Sequence, residues 1–205
     1  MTLPFRREIA SPQMIENIKV LHSDINTIDT LAERLYSILG QIPSHQPILI
    51  ICVGTDRSTG DSLGPLVGSY LEKQSLHGVH LYGTLDQPVH AVNLKDTLES
   101  IQQLHHNPFI IAIDACLGQL ASVGCIQIGN GPVKPGAGVN KDLPPVGNMH
   151  ITGIVNVGGF MEYFVLQNTR LSLVVNMAEV IAQSFQVALS SLNRFTATSF
   201  AQIEG

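Results

Sequence analysis

Tryptophan is absent from this chain of 205 residues, aromatic residues make up only 5% of it, and charged residues only 13%. So little charge leaves no basic footprint. Eleven Lys and Arg stand against sixteen Asp and Glu, for a net charge of −5. No long run of one sign occurs, so binding of nucleic acid through its phosphates is not expected. Scarce charge together with 44% hydrophobic residues also excludes a disordered chain.

Cysteine is scarce as well. Cys52, Cys116 and Cys125 form no CxxC pair, which excludes a disulfide framework and fits a reducing compartment. Cys52 and Cys125 lie in apolar runs and read as small core residues. No stretch approaches the roughly 20 apolar residues of a membrane span. Arg6 and Arg7 are not followed by the apolar segment of a secretory signal. A cytoplasmic protein without membrane contact is expected, and self-association stays open.

What the chain has is a regular alternation of apolar patterns. Residues 1–22 show weak periodicity and read as an extended arm, with one domain over 23–205. Ile25, Ile28, Leu31, Leu35, Ile38 and Leu39 recur at helical spacing and Gly40 reads as the stop. Ile48–Val53 is apolar throughout, as in a strand covered on both faces. A helix is expected over 63–74 with Pro65 in its first turn, then a strand over 79–82. A helix over 92–105 and a second all-apolar strand over 109–113 follow. This order predicts an α/β fold, a three-layer αβα domain around a mostly parallel twisted sheet.

Residues 122–128 read as a strand that follows too closely for a crossover helix, so antiparallel pairing is expected. The segment 129–148, with five glycines and four prolines, reads as a long functional loop. A strand over 151–155, a helix over 159–167 and a last strand over 171–175 complete the pattern. Asn176 and Glu179 then suggest a capping box for a C-terminal helix ending near Leu192.

Nucleotide chemistry has little support. Gly54-Thr-Asp-Arg-Ser-Thr-Gly-Asp61 lies between a strand and a helix, but a P-loop carries Lys and Ser/Thr after its second Gly. Here Asp61 takes that place, GxGxxG is missing too, and no cofactor is expected. Taken alone, Asp61 reads as a helix cap or first-turn acid whose setting lowers its pKa, and Asp114 as a strand-end anchor. A 2-1-3 strand order would make 48–53 and 109–113 neighbours, with both acids in one crevice. Two close carboxylates can divide the work of base and acid, or ligate a metal. His150, beyond the Gly/Pro-rich loop, is the third candidate, while His77, His80, His105 and His106 read as surface residues. Arg57 reads as an ion-pair partner or substrate clamp. Cys116, between two acids, lacks the positive field that a thiolate needs.

At these residues the chain resembles a known group. Gly54–Pro65, Ile113-Asp114-Ala115 and Lys134-Pro-Gly-Ala-Gly-Val-Asn140-Lys141, in that order, are similar to motifs of the YyaC-type sporulation proteins of endospore-forming bacteria. That family is similar to the spore germination protease, and the likeness covers about residues 48–160. It implies a phosphorylase/hydrolase-like fold and an aspartic peptidase acting on small spore proteins in the forespore or spore interior. Asp61 and Asp114 fall on the protease's two acids, with Gly60 where the protease has proline. The wider group includes the hydrogenase-maturation endopeptidases, whose two acids and histidine bind the substrate's nickel, and Asp61, Asp114 and His150 fall in comparable places. The resemblance leaves two alternatives to a peptidase: a non-catalytic sporulation protein binding a peptide or partner in the same crevice, or a metal site.

Overall fold

A computed structural model describes residues 17–74, 76, 78–136 and 143–192. Its frame is one six-stranded sheet with helices on both faces, the expected three-layer arrangement. The strands are β1 (Ile18–Leu21), β2 (Ile48–Cys52), β3 (Val79–Tyr82), β4 (Phe109–Gly118), β5 (Cys125–Asn130) and β6 (Met149–Val157), in the order β1-β5-β6-β4-β2-β3. The pairs β3/β2, β2/β4 and β4/β6 are parallel, and β5 runs antiparallel to both β6 and β1.

The 2-1-3 arrangement, on which a shared crevice for the two acids was conditional, is present in the first three parallel strands, with β2 between β3 and β4. β2 is buried at every residue because side chains alternate between two cores. Ile48, Ile50 and Cys52 enter the core beneath α1 (Thr27–Leu39), α2 (Leu63–Lys73) and α5 (Leu171–Ser190). Leu49, Ile51 and Val53 enter a smaller core beneath α3 (Leu94–Leu104).

Several expectations change. Ile25 is 95% exposed and precedes α1, whose buried stripe starts at Thr27 and Leu31. Residues 18–21 of the expected arm form β1 on the sheet edge, while residues 1–16 lie outside the described residues. The expected strand over 171–175 is instead the start of α5. Leu171-Ser-Leu-Val-Val looks strand-like locally, but Val174, Met177, Ala178, Ile181, Ala182, Phe185, Ala188 and Leu189 keep a helical period and are buried. Asn176 therefore lies inside the helix and caps nothing; the N-cap is Arg170. Helix α4 (Glu162–Gln167) begins three residues later than expected, after Met161 in the left-handed region at φ 53°.

By length and composition α5 could cross a membrane. Its buried stripe is used instead against α1 and α2, as in the core helix of an α/β domain.

Candidate active site

Asp114 does not stand beyond a strand end. β4 continues to Gly118 because β6 goes on pairing with it after β2 has stopped at Cys52. Asp114 is thus beside Thr152 of β6 on one side and beyond the end of β2 on the other. Its Oδ1 accepts a hydrogen bond from the Ala115 N–H at 2.9 Å.

The space past β2 is filled by the loop that carries Asp61. A 3₁₀ turn over Gly60–Ser62 leads directly into α2, with Pro65 in the first turn, where helix N–H groups have no partner anyway. The Asp61 carbonyl accepts from the Thr55 N–H at 3.1 Å, and Ser62 Oγ donates to Thr59 O at 2.6 Å. Two glycines permit this close approach. A Cβ on Gly54, whose φ is +147°, would collide with the Asp61 carbonyl oxygen, and one on Gly64 would collide with that of Val53. No side chain caps the turn or the helix, so the Asp61 carboxyl is not spent as a cap.

The two acids therefore meet electrostatically. Burial pushes the Asp114 carboxyl up from 3.8 to about 8, the Ala115 N–H working against the rise and the charge of Asp61 adding to it. Burial also raises Asp61, which is the less enclosed of the two, and Ser58 moderates that rise. This reverses the expectation of a lowered value at Asp61, since loss of water outweighs the field of the helix start. Ser58 is only 6% exposed, and its Oγ makes no well-formed hydrogen bond.

The other candidates take lesser places. His150 is the register partner of Ala112, so it shares a sheet face with Asp114 but stands two residues away along the strand. Its ring packs on Gly129, and its Nδ1 is 2.9 Å from the Gly131 carbonyl, to which it is hydrogen-bonded. Among the described residues no three His, Cys, Asp or Glu side chains gather closely enough to hold a metal, so Asp61, Asp114 and His150 do not form a ligand set. Cys116 hydrogen-bonds with Thr152, but burial raises its thiol to about 11, with the Asp114 charge contributing, so at neutral pH it stays protonated. Arg57 is exposed, its Nε 3.3 Å from Thr55 Oγ1.

Part of the Gly/Pro-rich loop lies among the described residues. Its limbs are joined by the bridge between Val133 and Val146, and Ala137–Asp142, including Asn140 and Lys141 of the third motif, lie outside the described residues. Sequence reasoning missed Thr152 and Ser58. Thr152 could have been found, because it lies two residues from His150 and so on the same strand face. Ser58 gave no signal beyond being in the Asp61 loop.

Two concavities among the described residues are lined by neither acid. One of about 600 Å³ runs along β3, lined by residues that include Leu71, Leu81, Tyr82 and His90. The other, of about 440 Å³, lies at α4.

Fold and site together define an α/β protein with two half-buried acids where β2 ends beside β4. The chain belongs to the family described as protein of unknown function (DUF1256), which matches residues 19–184. It is 59% identical over 168 residues to "Uncharacterized protein YyaC" of Bacillus subtilis (strain 168), covering 82% of each chain.

Proposed function

We propose that this protein is an aspartate-dependent peptidase whose acid pair activates water against a peptide bond. What carries the reading is the pairing of Asp61 with a half-buried Asp114, whose carboxyl is pushed up to about 8 by burial with the Asp61 charge adding to the rise. Two carboxyls with unequal proton affinity supply a base and an acid together. Ionised Asp61 takes a proton from water while the water oxygen adds to the amide carbon. Asp114 gives its proton to the carbonyl oxygen. On collapse the C–N bond breaks, the nitrogen takes the proton held by Asp61, and Asp114 regains one from the hydroxyl that becomes the new carbonyl. Both acids return to their starting states.

The motif likeness to the spore germination protease supports small spore proteins as substrates and the spore interior as the place of action. A second reading, a non-catalytic sporulation protein that binds a polypeptide in the same crevice, draws on the absence of both acids from the linings of the cavities along β3 and at α4. Incubation of the purified protein with small acid-soluble spore proteins separates the two. The peptidase reading expects new N-termini with wild type and none with Asp114→Asn. Lasting binding without any cleavage by wild type would remove it.

A further inference from the structure

The turn that carries Asp61 also buries a hydroxyl that is not put to use. Ser58, in the same loop, is 6% exposed, and its Oγ makes no well-formed hydrogen bond. Buried polar groups of this kind are rare in folded proteins, because nothing offsets the bonds to water that they give up.

The other buried hydroxyls at this turn are engaged. Ser62 Oγ donates to Thr59 O at 2.6 Å. Thr169 Oγ1, which a Cβ on Gly60 would touch, donates to Val165 O at 2.9 Å. Ser58 Oγ has the Asp61 carboxyl within reach, close enough to favour its ionised form. A hydroxyl carries one proton to donate, and a carboxylate is the strongest acceptor that a side chain offers. The contact is therefore worth most when Asp61 is charged and little when it is neutral.

Few other charges bear on Asp61. Asp114 on β4 is the titratable group that senses it. The start of α2, at Leu63, Gly64 and Pro65, carries no charge, and neither do Leu166 and Thr169 against Gly60. Glu162 of α4 accepts from the Gly159 N–H, and Asp56, Arg57 and Arg170 are exposed.

We propose that Ser58 is a positioning residue of the acid pair: its hydroxyl donates to the Asp61 carboxylate, fixes its direction and reserves Asp61 for the role of base. The role of base rests on the peptidase reading, whereas the hydrogen bond does not.

Carbon-13 NMR of labelled aspartate side chains and urea unfolding test the bond without a substrate. Ser58→Ala should raise the proton affinity of Asp61 roughly tenfold, the size of one hydrogen bond to a charged group. Ser58→Cys, which keeps the volume but donates weakly, should act in the same direction and serves if the alanine variant does not fold. Ser58→Thr, which keeps the hydroxyl, should restore most of the wild-type titration. The bond favours the ionised form, so the stability that Ser58→Ala loses should appear as pH rises through the Asp61 titration and vanish below it. With Asp61→Asn in place, Ser58→Ala should add no pH-dependent change.

An Asp61 titration unmoved by both Ser58→Ala and Ser58→Cys overturns the inference. So does a loss of stability equal at every pH, which would make Ser58 a packing residue, or a pH-dependent loss that persists with Asp61→Asn. If the titration responds while spore proteins are never cleaved, the peptidase reading falls and the bond stands. If cleavage depends on Asp114, its acid limb should move to higher pH in Ser58→Ala, and an unmoved limb removes the Ser58 assignment alone.

Discussion

Asp114 of β4 and Thr152 of β6 are register partners, so the acid stands inside a parallel ladder rather than past its end. Its carboxyl loses water on this account, and that loss is the largest cause of its raised pKa. The expectations below follow from this placement.

Folding stability should fall as pH rises. Unfolded, the Asp114 carboxyl ionises near 3.8, whereas folded it holds its proton until about 8. Between those values the folded state binds the extra proton, so the stabilisation is complete below about 4 and lost as pH rises through about 8. Urea unfolding from pH 4 to pH 9 measures the slope. Asp114→Asn should flatten it and should be the more stable of the two above neutrality.

Asp61→Asn removes the charge that adds to the rise at Asp114. The Asp114 titration should then move below about 8 yet stay above its ordinary value, because burial remains. Carbon-13 NMR of labelled aspartate side chains follows it. An unmoved titration would mean that the two carboxyls do not sense each other.

The peptidase reading carries a pH signature. Cleavage should decline above about 8, as Asp114 loses the proton that it donates. A rate that keeps climbing through pH 9 would assign the acid role elsewhere.

Gly64→Ala should cost about 1–3 kcal/mol, the usual range for forcing extra volume into a packed contact. Its Cβ would meet the Val53 main chain, which cannot yield as a side-chain tip can. Lifting the start of α2 also lifts Asp61, so the Asp114 titration should shift as in Asp61→Asn. Thermal unfolding and the same NMR experiment read the two effects.

The assignment of 171–175 to a helix is open to a stability test. Leu171→Ser should change stability by no more than about 0.5 kcal/mol, since the side chain is 58% exposed. Ile181→Ala, in the buried stripe of α5, should cost about 2–5 kcal/mol.

The parts of the fold that were legible are those fixed by local pattern. β2 announced itself because a strand buried on both faces is apolar at every position, and the short spacing before β5 announced its reversal. The neighbouring of β2 and β4 was only one of the orders open to alternating strands and helices, and the sheet settles it. β1 was not legible, because four residues with alternate burial acquire meaning only from β5. The length of β4 was hidden for a related reason: β6 sets it, not the composition of β4 itself. The start of α5 misled because five residues with two adjacent valines look like a strand until the period is followed over the whole helix. The acids were singled out by position, but the direction of the shift at Asp61 depends on how much water the fold removes, and spacing does not encode that.

Because Asp114 belongs to the sheet and Asp61 to the turn that starts α2, the pair straddles a seam between two layers. The ladder of β4 and β6 holds one carboxyl, and the close main-chain contacts of the turn at Thr55, Gly54 and Gly64 hold the other. A force that slides the helical layer along the sheet would leave Asp114 where it is and carry Asp61 past it. The gap between the carboxyls, and with it the proton affinity of Asp114, thereby becomes a gauge of how tightly α2 is seated.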